Sequence, residues 1–187
     1  MQKKALWLAA LVFAGGVLWG PIPLHAQEKP LFSVVPFGEP GDTDIELDFA
    51  TKKLAQLLSD AHIRSSMIPP LDPFEAMGDA ANICKEEHAS GLIIGTLVHN
   101  ENRDRLSISM IPGLGVADAT GALDTWHVKA QLRLRVISCA GKVTWSTITI
   151  SEATHHGTNL PSAISMVISE ALKTAVTQFA FHIGTGV

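Results

Sequence analysis

Residues 91–98 read Gly91-Leu92-Ile93-Ile94-Gly95-Thr96-Leu97-Val98, and the fold turns on how that run is placed. It is short, almost wholly apolar from Leu92 onward, and opens straight after a glycine. A run apolar at both alternating positions offers no side to water, so it suits a central strand of a sheet covered on both faces. The flanking segments then become the layers around it.

Upstream, residues 31–37, Leu-Phe-Ser-Val-Val-Pro-Phe, are apolar and β-rich with Pro36 near the end, and predict a first strand. Thr43 with Glu46 three residues on reads as a capping box, and Leu47, Ala50, Leu54, Leu57, Leu58 and Ala61 recur at helical spacing behind it. Residues 64–68 predict a short strand stopped by Pro69-Pro70. Asp72, Pro73 and Glu75 form a helix start. The helix carries Phe74, Met77, Ala81, Cys84 and His88 on one face, with Gly78-Asp79 a place to break and Gly91 its stop. Strand, helix, strand, helix, strand favours parallel neighbours.

Downstream of Val98 the periodicity changes to two. Leu106, Ile108 and Met110 alternate with serines, and Val128, Ala130, Leu132, Leu134 and Val136 alternate with Lys129, Gln131, Arg133 and Arg135. This is the pattern of antiparallel strands with one buried face. Ala140-Gly141 closes a hairpin into residues 143–150, which sets Val136 against Trp145, Trp126 against His155 and His127 against Thr154. Ile148 and Ile150 then point away from the core, implying a bulge or a second covered face. Pro161 opens a last amphipathic helix through Phe179. The expectation is one α/β domain: a mixed sheet of about six strands, a parallel βαβαβ block plus an antiparallel meander, under three main helices.

The first 26 residues stand apart. Lys3 and Lys4 precede an uncharged apolar stretch over residues 5–18, then Gly20-Pro21 and Ala26, which reads as a signal peptide cut after Ala26. The stretch is short for a permanent span, which needs about 20 apolar residues, and no other segment predicts one. Residues 27–187 are expected to form a single exported domain, periplasmic or secreted. Removing Lys3 and Lys4 from a formal charge of −4 leaves −6 and few clustered cations, which argues against nucleic acid as a partner. The two cysteines, Cys84 and Cys139, permit one bridge, worth about 4 kcal/mol on the chain-entropy model, or two buried thiols that never meet.

The chain between residues 31 and 181 resembles the TolB amino-terminal-like domains, a group related to curli-secretion and penicillin-binding-protein-activator lipoproteins. The matching pieces are Val34-Val35-Pro36-Phe37, Leu92-Ile93-Ile94-Gly95, and Arg133-Leu134-Arg135-Val136-Ile137-Ser138 running through Gly141 to Val143-Thr144-Trp145-Ser146. It departs at Ser90-Gly91, where the family commonly has an acidic residue, and at Cys139, where its hairpin often has Asp. No cysteine follows the leader to take a lipid. The resemblance implies a non-catalytic envelope domain that works through protein contacts.

Candidate chemistry is sparse. Asp42, Asp44, Glu46 and Asp48 suggest a calcium loop, but Leu47 and Lys53 stand where an EF-hand needs Gly and Glu; acids at a helix start explain them. The glycine-rich loop of Pro112, Gly113, Leu114, Gly115, Val116, Asp118, Leu123 and Asp124 fits neither a dinucleotide fingerprint nor a Walker loop. It reads as a mobile connection or a partner-binding loop. His127, His155 and His156 are drawn toward one open end of the meander, where imidazoles would suit zinc or copper. There is no Gly-x-Ser-x-Gly, His-Glu-x-x-His or Ser-x-x-Lys, and no tyrosine. The sequence therefore predicts no enzyme and no cofactor, but an envelope accessory domain with envelope proteins or copies of itself as partners. A small metal-binding protein is the alternative.

Overall fold

The computed structural model describes residues 29–38, 44–104, 125–157 and 159–184. Five strands and four helices follow one another within them: β1 (Leu31–Val35), α1 (Ile45–Asp60), β2 (Arg64–Met67), α2 (Pro73–Gly78), α3 (Ala80–Glu87), β3 (Gly91–Asp104), β4 (Thr125–Ser138), β5 (Val143–His156) and α4 (Leu160–His182). One sheet has the order β2-β1-β3-β4-β5. β1 is parallel to β2 and β3, whereas β3, β4 and β5 form an antiparallel meander. The mixed α/β architecture is as expected, with five described strands instead of six and four helices instead of three. The leader (1–26), the strand expected over residues 106–110 and the loop over residues 112–124 lie outside the described residues.

Each face of the sheet has its own core. On one side Ile93, Leu132, Leu134 and Val136 pack with Leu54 and Leu58 of α1 and Ile168, Leu172 and Phe179 of α4. On the other, Val35, Leu92, Ile94 and Ile137 pack with Ala76, Ala80, Ile83 and Cys84 of α2 and α3. Successive residues of a strand point to opposite faces, so β3 is apolar at consecutive positions because it feeds both cores. The second cover is short. It reaches Ile94 and Ile137, and Val98, read as part of a fully covered strand, is 60% exposed.

Local chemistry sets the helix ends. α1 is capped by Asp44, whose side chain accepts from the Glu46 amide at 2.9 Å, so the N-cap is Asp44; Thr43 lies outside the described residues. Asp72 caps α2 by accepting from the amides of Phe74 and Glu75, with Pro73 at the first turn. The helix does break at Gly78-Asp79, but its apolar stripe continues across the break. Ala76, Ala80, Ile83 and Cys84, at the i, i+4, i+7 and i+8 spacing of one helical face, face the sheet, while Phe74, expected on that face, lies on the far side and is 81% exposed. α3 ends at His88 in the left-handed conformation, φ 53°. Gly91, expected as that stop, instead begins β3.

Two ties hold the layers in place. Cys84 of α3 and Cys139 of the β4–β5 turn form a disulfide with Cα atoms 5.7 Å apart, joining the α2–α3 cover to the meander. The Phe37 amide donates to Thr51 Oγ1 at 2.9 Å, and that hydroxyl donates to the Leu47 carbonyl at 2.9 Å. This pins the exit of β1 to α1, and the Phe37 ring lies over Gly95 of β3, where any Cβ would overlap it.

The hairpin closes at Gly141, φ 73°, with its amide on the Ser138 carbonyl at 2.8 Å. A one-residue irregularity falls between Val136 and Ile137. A two-residue turn at Ala140-Gly141 sets Cys139 against Lys142, but the turn instead pairs Ser138 with Lys142; the slip offsets that one-residue difference, so the expected pairs Val136–Trp145, Trp126–His155 and His127–Thr154 stand. Trp145 packs on Phe179 at 5.1 Å between ring centroids and stacks on His182.

Candidate functional site

The meander outruns its second cover. β3, β4 and β5 are each 14 residues long, whereas β1 has five, and α2 and α3 lie over the end of the sheet near β1. Beyond Ile94 and Ile137 the face opposite α1 and α4 is open. Its side chains follow from the register: Thr96, Arg133 and Ile148 lie in one row, Val98, Gln131 and Ile150 in the next, then Asn100, Lys129 and Glu152, and then Asn102, His127 and Thr154. Ile148 and Ile150 are 49% and 55% exposed. Of the two accounts of these isoleucines, neither a second cover nor a bulge beside them is found among the described residues.

This surface is apolar in the middle and charged around it. Lys129 and Glu152 are ion-paired across β4 and β5. Among the described residues Arg133 and Arg135 have no acidic partner. Guanidinium groups beside exposed aliphatic side chains suit a protein surface that brings carboxylates and an apolar anchor, since contact surfaces combine an apolar centre with a polar rim. Farther along the strands, Asn100, Asn102, His127, Lys129, Glu152 and Thr154 line an open concavity of about 390 Å³.

The three histidines do not gather. His127 Nδ1 lies 3.3 Å from Thr154 Oγ1, and His156 Nδ1 lies 3.1 Å from Thr125 Oγ1, on the open face. His155, next to His156 in an extended strand, projects to the opposite, helix-bearing face. Its Nε2 is buried with no hydrogen-bond partner among the described residues. Among the described residues no group of three or more His, Cys, Asp or Glu side chains could hold a metal ion. The other pair singled out, Cys84 with His88, is separated chemically because Cys84 is bridged to Cys139.

The acids at the start of α1 act on the helix. Asp44 caps it, and Asp48 pairs with Lys52 one turn on at 2.7 Å. The Asp44 carboxyl is held below its ordinary value of 3.8, first by hydrogen bonding with the Glu46 side chain. Partial burial opposes this, and the Glu46 and Leu47 amides and the charge of His99 add to it. The partner-binding loop, Pro112, Gly113, Leu114, Gly115, Val116, Asp118, Leu123 and Asp124, lies outside the described residues. The chain enters and leaves it at the ends of β3 and β4, the open end of the meander.

Sequence reading missed the open-face patch as a unit. The signal was present in the alternation of Lys129, Gln131, Arg133 and Arg135 and in two isoleucines assigned to the wrong side for a core. What it lacked was the length of the α2–α3 cover.

No protein-family model matches the chain, and comparison with curated proteins finds no match. Comparison with solved structures finds similar chains at low identity. The PelC dodecamer from Paraburkholderia phytofirmans is 16% identical, with 77% of this chain and 85% of that chain covered at a TM-score of 0.42. Lipoprotein GNA1162 from Neisseria meningitidis is 15% identical over 81% and 99% of the two chains, TM-score 0.44. A minor lipoprotein from Acinetobacter baumannii is 10% identical over 83% and 90%, TM-score 0.40.

Proposed function

We propose that this chain is an exported, non-catalytic accessory domain of the cell envelope, periplasmic or secreted, that acts by binding another envelope protein. The observation that supports it best is the uncovered face of the meander, where Val98, Ile148 and Ile150 stand exposed beside Arg133 and Arg135. Exposed aliphatic residues in adjacent rows of a sheet mark a contact site when polar groups rim them. The leader-like first 26 residues and the Cys84–Cys139 disulfide agree with an oxidising compartment outside the cytosol. Among the described residues no helix is long and apolar enough to cross a membrane.

The TolB amino-terminal-like reading belongs to this proposal. In it the open end of the meander, with the loop over residues 112–124, is the second contact region. Cross-linking with mass spectrometry on the untagged protein in its own envelope tests both. Reproducible links from β4, β5 or the loop to one envelope protein support the reading, and links confined to α1 or to α2 and α3 count against it.

A further inference from the structure

The two edges of the sheet are built differently. β2 has four residues, begins with Arg64 and is followed by Pro69-Pro70, which are ordinary ways to blunt an edge. β5 has 14 residues, Val-Thr-Trp-Ser-Thr-Ile-Thr-Ile-Ser-Glu-Ala-Thr-His-His. It contains no proline, glycine or lysine, and Glu152 is its single acidic residue. Its register slips only near the turn, opposite Val136 and Ile137. No strand among the described residues pairs with its outer side. A long β-branched edge left open in this way is a template for another strand.

We propose that β5 pairs antiparallel with β5 of a second copy of this chain, joining the two sheets edge to edge with Thr149 on the two-fold axis. The register follows from parity. Thr149 is buried, and its hydroxyl donates to the Ala171 carbonyl of α4 at 2.9 Å, so it faces the helical layer. Keeping both α4 helices on one side of the joint sheet requires residues of like parity to oppose each other. With Thr149 on the axis, Ile148 meets Ile150 of the second copy and Ile150 meets its Ile148. Exposed side chains thereby cover one another on the open face. Moving the axis to Ile148 sets Ile150 against Ser146, and moving it to Ile150 sets Ile148 against Glu152. Only the Thr149 register gives both isoleucines an apolar partner.

Charge agrees with the same register. Glu152 of the second copy lies opposite Ser146, whose neighbour on β4 is Arg135, a cation with no ion pair among the described residues. Such an interface is isologous, so it closes at two copies and uses up the vulnerable edge.

This inference rests on the reading of the meander as a contact surface and names one of its partners. The test uses protein purified from the envelope with its native disulfide. Light scattering is expected to report twice the chain mass for the wild type, and the chain mass for Ile148→Lys/Ile150→Lys with an unchanged circular dichroism spectrum. Ile148→Cys mixed with Ile150→Cys is expected to give a cross-linked dimer with a short thiol-reactive linker, several-fold more than either variant alone. A monomeric wild type, a dimer that survives both lysines, or equal linking by the single variants would each overturn the pairing. A monomer that still cross-links from β4 or the 112–124 loop to another envelope protein would refute the pairing and leave the wider contact reading in place.

Discussion

The ring of Phe37 lies against the backbone of Gly95, occupying the space that any Cβ at that position would take. β3 can therefore approach the exit of β1 closely, and the Phe37 amide is held on Thr51 Oγ1 at the same point. Gly95→Ala is expected to destabilise the domain by about 1–3 kcal/mol, the usual cost of overpacking. Denaturant unfolding measures it. Phe37→Leu in the same chain should recover part of the loss, as coupling between touching residues requires; strict additivity would show that the ring is not what the glycine accommodates.

Replacing Cys84 or Cys139 by serine is expected to remove about 2–4 kcal/mol. Cross-linking acts mainly on the unfolded chain, and the bridge spans 55 residues. The double variant should lose no more than the worse single one, and the reduced wild type should unfold at a similar denaturant concentration. A reduced wild type as stable as the oxidised one would mean that the bridge constrains nothing the packing had not already fixed.

The face that α2 and α3 turn to the sheet makes a paired prediction. Phe74→Ala should change stability by less than about 0.5 kcal/mol because the ring is in water, whereas Ile83→Ala should cost roughly 2–4 kcal/mol from the core under the sheet. Thermal or chemical melts of the two variants decide it. The reverse order would restore the face read from the sequence, with Phe74 turned toward the sheet.

Asp44 gives a pH dependence with a definite sign. Its carboxyl is held below 3.8 in the folded chain, so the stabilisation is present above the ordinary value and fades as pH falls through the folded one. Asp44→Ala should cost about 1 kcal/mol at pH 7 through loss of the cap. The gap between variant and wild type should narrow below about pH 4, where an unperturbed aspartate begins to protonate. Solvent screening at this half-buried surface site keeps the charge contribution small, so stability curves at low salt are the measurement of choice.

For the open face, Arg133→Glu/Arg135→Glu is expected to leave the melting temperature within a few degrees, because neither residue has an ion pair among the described residues to lose. It should reduce cross-links from β4 to its envelope partner by at least about tenfold, a loss of roughly 1.4 kcal/mol. Unchanged links would move the binding site off the open face and toward the loop over residues 112–124.

Much of this was legible because period and turn chemistry are local. Gly141 marks the hairpin, and the register from Val136 and Trp145 to Trp126 and His155 is as read because the slip beside Ile137 offsets a turn one residue longer than the two read. Asp72-Pro73 announced α2, and Gly78-Asp79 its break. What failed was long-range or one residue out of phase. Val98 looks like a core residue until the length of the α2–α3 cover is known. His127, His155 and His156 converge in sequence, yet neighbours in a strand are divided by the sheet itself. Gly91 was given to the helix before it, although His88 takes the left-handed turn and leaves Gly91 to pack beneath the Ile137 carbonyl.

The equal lengths of β3, β4 and β5 also set a distance. Fourteen residues at ~3.3 Å each make a beam about 45 Å long. It is clamped at one end by a covalent bond between Cys84 and Cys139 and braced along one side by α4. The chain between Asp104 and Thr125 departs from the other end. A protein held at the turn and one held at that far end are kept apart by the sheet, so the meander is a ruler as well as a surface. Shortening all three strands by two residues would bring those two partners closer by about 7 Å while leaving every side chain on its own face.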